Sequence, residues 1–551
     1  MKGRLVKSGI IVLMILLSAA VGLANECFYC PTGVLHYDAA LADNGYNMVG
    51  GNILDMKGNI LHSMSASGGN LTFYEDGTSI ALNTSKNNVD PSEIIQYDWD
   101  GNIIWQWTSP AGPQYFLHHD FVKIWNDELG EYTILAVAEQ QIDTDEAIEA
   151  GSDDENSSNK GFSADSVIEI RMVPQDPEDP TANIIWEWKF WDHVVQYYKP
   201  DGVLPSGRST YGDIANPAND FGRLDLNVTT NQKGSGLTSD WNHVNGIAYN
   251  EDRDEIALSA RENCEIFIID HSLSDEDADG PAGDFVYRWG NPYNYTKNEE
   301  HLAIINDNGL QQLFGNHHVK WVEPVTPAAE GEVPHKNLLI FENGSFRPQF
   351  CAASAIYEIN PFDADGNYVR EVDATYSRPD KNTDYGTLSD QVVWKFSARE
   401  FGKFHLGFYS SHGSNVDRLP NGNTLISASE AGHLIEVTPD LKIAWEYLSG
   451  FAGGDVISRT EPGLRGGAGG TRLPYDHPGL AGKTFVRPDV VSPGVWDSDS
   501  NLPGFMSGTG AAPAAAPPQP TGWGTSGLEP AAAGGGGVAS GGGVGDVGGG
   551  Y

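Results

Sequence analysis

The feature that most constrains this chain is a short pattern, two apolar residues followed by an aromatic, any residue and a second aromatic, recurring at intervals of several tens of residues. It reads Ile103-Ile104-Trp105-Gln106-Trp107, Ile184-Ile185-Trp186-Glu187-Trp188, Phe285-Val286-Tyr287-Arg288-Trp289, Val392-Val393-Trp394-Lys395-Phe396 and Ile443-Ala444-Trp445-Glu446-Tyr447. Recurrence at such a period marks a repeat architecture. Each copy follows another short apolar run, at 93–98, 167–172, 265–270, 355–360 and 434–438. The best-defined unit starts after His412, with strands expected at 416–419, 423–428, 433–438 and 442–447 and turns at Pro420-Asn421-Gly422 and Pro439-Asp440. No helical period fits these runs. Short strands in groups of four, separated by Gly and Pro turns, predict an all-β fold, a β-propeller of four-stranded antiparallel blades.

Five units follow: 70–107, 118–191, 243–290, 317–396 and 412–447. Residues 31–66 hold two further runs, 46–54 and 59–64, that resemble the last two strands of a blade whose first two are missing, as when one terminus closes a ring. Six blades result, with five or seven left open. Around this ring, 67–450, lie an N-terminal segment with the ring-closing strands, 25–66, an irregular extension, 451–505, and a tail, 506–551, of Gly, Ala and Pro. That tail is too poor in apolar side chains to offset the entropy of ordering, so disorder is expected. Residues 143–160 read as an acidic, solvated loop, and 199–238 as a Gly/Asn-rich cover over one mouth.

Residues 1–24 have the form of a signal peptide: Lys2, Arg4 and Lys7, then an apolar run, then small residues ending at Ala24. Export to the periplasm or beyond is expected, with no stable membrane insertion after cleavage; an uncleaved anchor is the alternative. With 75 acidic against 33 basic residues, a net charge of −42, the chain is unsuited to nucleic acid or anionic membrane. In an oxidising compartment its 4 cysteines permit a local Cys27–Cys30 disulfide. Cys264 and Cys351 are left to pair or to stay as buried thiols.

The chemistry lies in where histidine falls. Of 15 histidines, His118, His119, His243, His317, His318 and His412 come just before the first strand of a unit. That strand is the innermost of a propeller blade, so equivalent positions converge on the axis. Arg347, after Asn343-Gly344-Ser345-Phe346, adds a guanidinium whose fork matches oxyanions. Imidazoles with arginine point to an anionic substrate bearing tetrahedral oxygens. The same histidines suit an iron or copper oxidoreductase, with Asp120 and Asp240 orienting the rings. A non-catalytic exported propeller that binds a ligand or protein is the third class.

At these residues the chain resembles the bacterial arylsulfotransferase family, over roughly 31–450. The likeness rests on PTGVLHYD, HHDFVKIW, DWNHVNGIAYNEDRDEIALSARENCEIFIIDHS, RWGNP, HHVKW, LLIFENGSFRP and RLPNGNTLIS. It implies a six-bladed propeller, export, and a histidine that carries the sulfuryl group from an aryl sulfate to a phenol, with no nucleotide, metal or other cofactor. No Gly-rich phosphate loop of the GxxxxGK type occurs, in keeping with that. By position in the motifs His412 matches the nucleophile, with His318 as the alternative, and His243, His318 and Arg347 match the groups that hold and balance the sulfate. His119, Asn245 and Asn415 are the expected substrate contacts. Natural donor and acceptor stay open, as does assembly, a homodimer included.

Overall fold

The computed structural model describes residues 33–64, 69–84, 91–112, 114–150, 162–195, 220–226, 240–295, 311–324, 333–347, 353–370, 388–398, 408–449, 451–452, 455–456 and 470–485. They form a six-bladed β-propeller. Blade 1 is Gly69–Phe73, Ser79–Asn83, Glu93–Tyr97 and Ile103–Thr108; blade 2 is Phe116–Asn126, Glu131–Ile142, Phe162–Arg171 and Ile184–Lys189. Blade 3 is Val244–Asn250, Glu255–Ala260, Glu265–Asp270 and Tyr287–Trp289; blade 4 is His317–Val322, Asn337–Glu342, Ala355–Ile359 and Val392–Ser397. Blade 5 is Asn415–Arg418, Thr424–Ala428, His433–Val437 and Ile443–Leu448, with Gly33–Tyr37 added outside as a fifth strand. The first strands of blades 2, 3, 4 and 5 touch one another in that order, which makes them the innermost layer.

The repeated pattern has a specific job at the outer edge. Trp105 Nε1–H donates to the Val173 carbonyl at 3.0 Å, Trp186 to Leu273 at 3.0 Å, Trp394 to Pro439 at 3.2 Å and Trp445 to Met56 at 2.9 Å. In every case the acceptor lies beyond the third strand of the following blade. Blade 3, where Tyr287 replaces the tryptophan, donates its hydroxyl to Gln391 Oε1 at 2.7 Å, again one blade on. The pattern therefore recurs because each copy clasps a neighbour, at about 1 kcal/mol per hydrogen bond beyond the apolar burial of the ring.

Ring closure differs from expectation. Residues 31–66 supply three strands of blade 6, Gly45–Val49, Asn52–Leu54 and Ile60–Ser63, so one strand is missing and not two. The run 46–54 is a hairpin, because Gly50 and Gly51 take φ of 54° and 79° and form a two-residue turn. The first strand comes from Gly470–Pro474, inside the segment expected to be an irregular extension, and pairs antiparallel with Gly45–Val49. Arg472 fixes it there: Nε donates to Asn47 Oδ1 at 2.8 Å, and the guanidinium meets Glu436 of blade 5 at 3.0 Å, both side chains buried. The acidic insertion also begins as structure. Thr144–Glu149 is a short helix whose Ala147 joins the core, and Trp191 Nε1–H donates to Glu146 Oε1 at 2.8 Å. The expected signal peptide, the pair Cys27 and Cys30, Cys351, the rest of the acidic insertion, most of the Gly/Asn-rich segment and the tail lie outside the described residues. Among the described residues no helix is long and apolar enough to cross a membrane.

Blades 2 and 3 are joined by a charged bridge. His271 Nδ1 meets Asp254 Oδ1 at 2.6 Å and Nε2 meets Glu169 Oε2 at 3.2 Å, beneath the Trp186 ring. Burial opposes a charge on this imidazole, but the hydrogen bonds and fields of the two carboxylates outweigh it and push its pKa up to about 9. A group whose pKa is raised on folding contributes stability in full below its unfolded pKa and loses it as pH rises through the folded value. The bridge should therefore weaken between about pH 6.5 and 9, by roughly 3 kcal/mol in all. Melting temperature measured across that range is expected to fall more steeply for wild type than for His271→Gln; parallel slopes would refute the assignment.

Candidate active site

The pocket is built where the innermost strands begin, and those of blades 2, 3 and 4 begin with a bulge. Residues 118–120 face a single position of the neighbouring strand, while Asn245 and His318 are each one residue too many for their pairings. Positive φ occurs within the bulges at His119 (58°) and His318 (57°) and just before the strands at His243 (49°) and Ser414 (92°), in four successive blades. Left-handed backbone at a non-glycine residue costs on the order of 1–3 kcal/mol and tends to gather where side chains are re-aimed for function.

Three imidazoles from three blades meet as a result. The rings of His119 and His243 lie 4.5 Å apart, and His317 is 6.5 Å from each. Their partners fix them. His243 Nδ1 meets Asp240 Oδ2 at 2.5 Å; His317 Nδ1 meets Asn343 Oδ1 at 2.7 Å, and its Nε2 accepts the Gly413 N–H at 3.2 Å. Burial, then the neighbouring imidazoles and the Arg261 guanidinium, hold His119 well below the ordinary histidine pKa. Burial and His243 do the same to His317, with Arg261 and His412 adding to it. Both are therefore neutral at pH 7 and carry a lone pair.

His412 stands at the rim of this group. Its side chain is 66% exposed, its Nδ1 lies 2.6 Å from Ser411 Oγ and 3.9 Å from Glu430, and its field reaches His317. The following residue, Gly413, is the one whose amide touches His317. His243 and His119 are thus brought together, and His412 lies next to the residue whose amide reaches His317.

His318 does not join them. It is the extra residue of the bulge, and His317, which keeps its pairing with Phe341, is the member of the pair that joins the cluster. His318 turns toward Asp417 and Lys320. Burial pushes its pKa down to about 4, and its Nε2 is buried without a partner. Arg347 is buried in a pairing of its own: it lies 3.5 Å from Glu342, 3.4 Å from the Tyr357 hydroxyl, and over the Phe314 ring at 4.5 Å. The guanidinium whose field acts on His119 and His317 is that of Arg261, which stacks on Phe346 at 4.5 Å beside Arg347. Of the two expected amides, Asn245 donates to the Asn316 carbonyl at 2.8 Å and Asn415 to Gly470 at 3.4 Å, and each keeps a buried Oδ1 without a hydrogen-bond donor.

The sequence points to His318 and Arg347, whereas the residues that the structure sets against His119 and His243 are His317 and, through its field, Arg261. A usable sign for Arg261 exists: it directly follows the second strand of its blade just as Asn343 and Ser429 follow theirs, and Asn343 is a partner of the cluster. Cys264 is buried, its Sγ accepting the Gly315 N–H at 3.1 Å. Among the described residues no three His, Cys, Asp or Glu converge in a way that would hold a metal ion.

Comparison with solved structures returns proteins of low similarity. A protein of unknown function from Bacteroides caccae is 9% identical, covering 76% of this chain and 95% of its own, with a TM-score of 0.32. The periplasmic gluconolactonase of Pseudomonas aeruginosa is 12% identical over 72% of this chain and 94% of its own, with a TM-score of 0.29. Hydrazine synthase of Kuenenia stuttgartiensis is 11% identical over 49% and 58%, with a TM-score of 0.26. Scores this low support no functional argument. No curated protein matches. The family model "Arylsulfotransferase (ASST)" matches residues 42–442, which takes in the first four repeats, the fifth up to its last strand, and the whole histidine cluster. A match of that extent settles the family: the chain is a transferase of the arylsulfotransferase (ASST) family.

Proposed function

We propose that the axial pocket moves a sulfuryl group from a phenolic sulfate ester to a phenol by double displacement, with His412 as the nucleophile. The observation that carries this reading is the meeting of His119, His243 and His317 beside His412. His412 is accessible to a substrate entering the mouth. Its neutral imidazole attacks sulfur, the phenolate leaves, and a second phenol takes the group from the sulfohistidine.

By analogy with phosphoryl transfer, charge in the transition state sits on the non-bridging oxygens and on the departing oxygen. Arg261, whose field reaches His119 and His317 and which is paired with Glu262, balances the former, and Arg347, paired with Glu342, is a second positive group. His243, held by Asp240, stabilises the phenolate, and the open Oδ1 atoms of Asn245 and Asn415 are acceptors for a substrate hydroxyl. His318, uncharged at neutral pH, serves as a polar neighbour deeper in the channel. The substrates are small aromatic molecules, no nucleotide takes part, and the protein works after export, freed of residues 1–24.

Release of 4-nitrophenol from 4-nitrophenyl sulfate tests the scheme. Steady release is expected only when a phenol is present, with a single equivalent released in its absence. Steady release into water alone would make the protein a hydrolase and end the double-displacement reading.

A further inference from the structure

One buried chain of groups leads into the pocket and is not used by the steps above. Asp165, on the third strand of blade 2 and 1% exposed, has both carboxylate oxygens engaged. Oδ1 meets His118 Nε2 at 3.1 Å, and Oδ2 accepts the Val244 N–H at 2.5 Å. His118 Nδ1 in turn lies 2.6 Å from His119 Nδ1, and the His119 ring meets His243. We propose that Asp165, His118 and His119 form a proton relay for the acceptor phenol: His119 takes the phenolic proton, while His118 and Asp165 are positioning residues that set its tautomer and receive the charge. The proposal rests on the sulfuryl-transfer reading and assigns the base that its second half needs.

Hydrogen-bond direction gives the argument. An ionised carboxylate only accepts, so His118 must present Nε2–H to Asp165. In neutral His118 the other nitrogen, Nδ1, then holds a lone pair and must accept from His119 Nδ1–H. His119 is left with a bare Nε2, which is a base. When the acceptor reacts, its O–H bond breaks and a bond from that proton to His119 Nε2 forms. The oxygen pair makes the new O–S bond, the S–N bond of sulfohistidine breaks, and its pair returns to His412. The Nδ1 proton of His119 passes to His118 Nδ1, so the positive charge rests on His118 beside Asp165. In the donor half-reaction the same protons run back to the leaving phenolate, and nothing is consumed.

The surroundings favour that resting place. Burial works against a charge on His118, but Asp165, Glu139 and Asp240 outweigh it and raise its pKa above the ordinary value. His119 faces His118, His243, His317 and Arg261, and with burial these drive its pKa far below. A proton delivered to the pair therefore settles on the outer member. This is the arrangement by which a buried carboxylate orients an imidazole base, extended by one ring.

Asp165→Asn tests it. The amide oxygen can still accept from Val244, while the amide N–H donates to His118 Nε2. Every bond in the chain is then reversed, and the proton of His119 moves to Nε2, where no base remains. Turnover with an unactivated phenol is expected to fall about 10²- to 10⁴-fold. The loss should shrink for acidic nitrophenol acceptors, KM for the donor should change only a few-fold, and the pH profile should lose its limb for the base. His118→Gln, which can hydrogen-bond but cannot hold the proton, should show the same dependence on acceptor acidity. Equal losses for all acceptors would mean a merely structural role and overturn the relay. ¹⁵N NMR of histidine-labelled protein reads the tautomer of His119 directly, without any activity, at a pH high enough to remove the proton that rests on His118: Nδ1–H is then expected in wild type and Nε2–H in Asp165→Asn. An unchanged tautomer overturns the relay even if transfer is observed, whereas a wild type that transfers nothing removes the transfer reading and leaves this readout to decide the chain's direction.

Discussion

His412→Ala should abolish steady transfer from 4-nitrophenyl sulfate to phenol, lowering kcat by at least about 10³-fold, as expected when a covalent nucleophile is removed. The fold should be untouched. The imidazole is 66% exposed, and its contacts are to Ser411 and Glu430 on the surface. Truncation therefore leaves no cavity and no buried polar group, and Tm is expected to stay within about a degree, as for surface changes generally. The first equivalent of nitrophenol should vanish together with turnover, because no acceptor for the sulfuryl group remains. His317→Ala offers the contrast: it exposes Asn343 and the Gly413 amide, so it should cost stability as well as rate. Radiolabelled sulfate recovered on a peptide carrying residue 412 of wild type would fix the assignment. Retention of turnover within about tenfold in His412→Ala would move the nucleophile to one of the buried, neutral imidazoles.

The second large effect is on stability. Arg288 and Glu265 are both completely buried within blade 3 and form a two-pronged pair, Nε to Oε2 at 2.7 Å and Nη2 to Oε1 at 2.8 Å. Arg288 also donates to the Arg223 carbonyl at 2.7 Å and lies over the Tyr295 ring at 4.6 Å, so it ties residues 220–226 to the blade. Arg288→Leu keeps the volume but strands the carboxylate. Breaking a buried pair from one side costs about 3–5 kcal/mol, since the surviving charge has no water to turn to. Tm should drop by several degrees, and Glu265→Gln in the Arg288→Leu background should recover part of the loss. No change in Tm would mean that water reaches Glu265.

Local sequence decides a good deal here. The repeated apolar-apolar-aromatic pattern determined the fold class, because a fourth strand that must clasp its neighbour needs an indole or phenol at one fixed place. It also set the number of blades, once the N-terminal strands were counted with the repeats. The positions of His119, His243 and His412 were legible for the same reason: they precede the innermost strand in each unit. What the repeat cannot encode is register within a bulge. Whether His317 or His318 enters the pocket turns on one residue of slip, and that slip is set by how the first strand pairs with the second.

Pairings between distant segments were equally hidden. Gly470–Pro474 looks irregular because it is five residues long and lies after the last repeat; only the open edge of Gly45–Val49 and the buried Arg472–Glu436 contact make it a strand. Arg261 and the Asp165–His118–His119 chain belong to the same class, since each joins residues from separate strands whose proximity exists only after the ring has closed. Sequence periodicity determined which strands form and where histidines stand along the axis. Tertiary structure decided which side chains face one another, because hydrogen-bond direction and charge depend on distances that no local pattern contains.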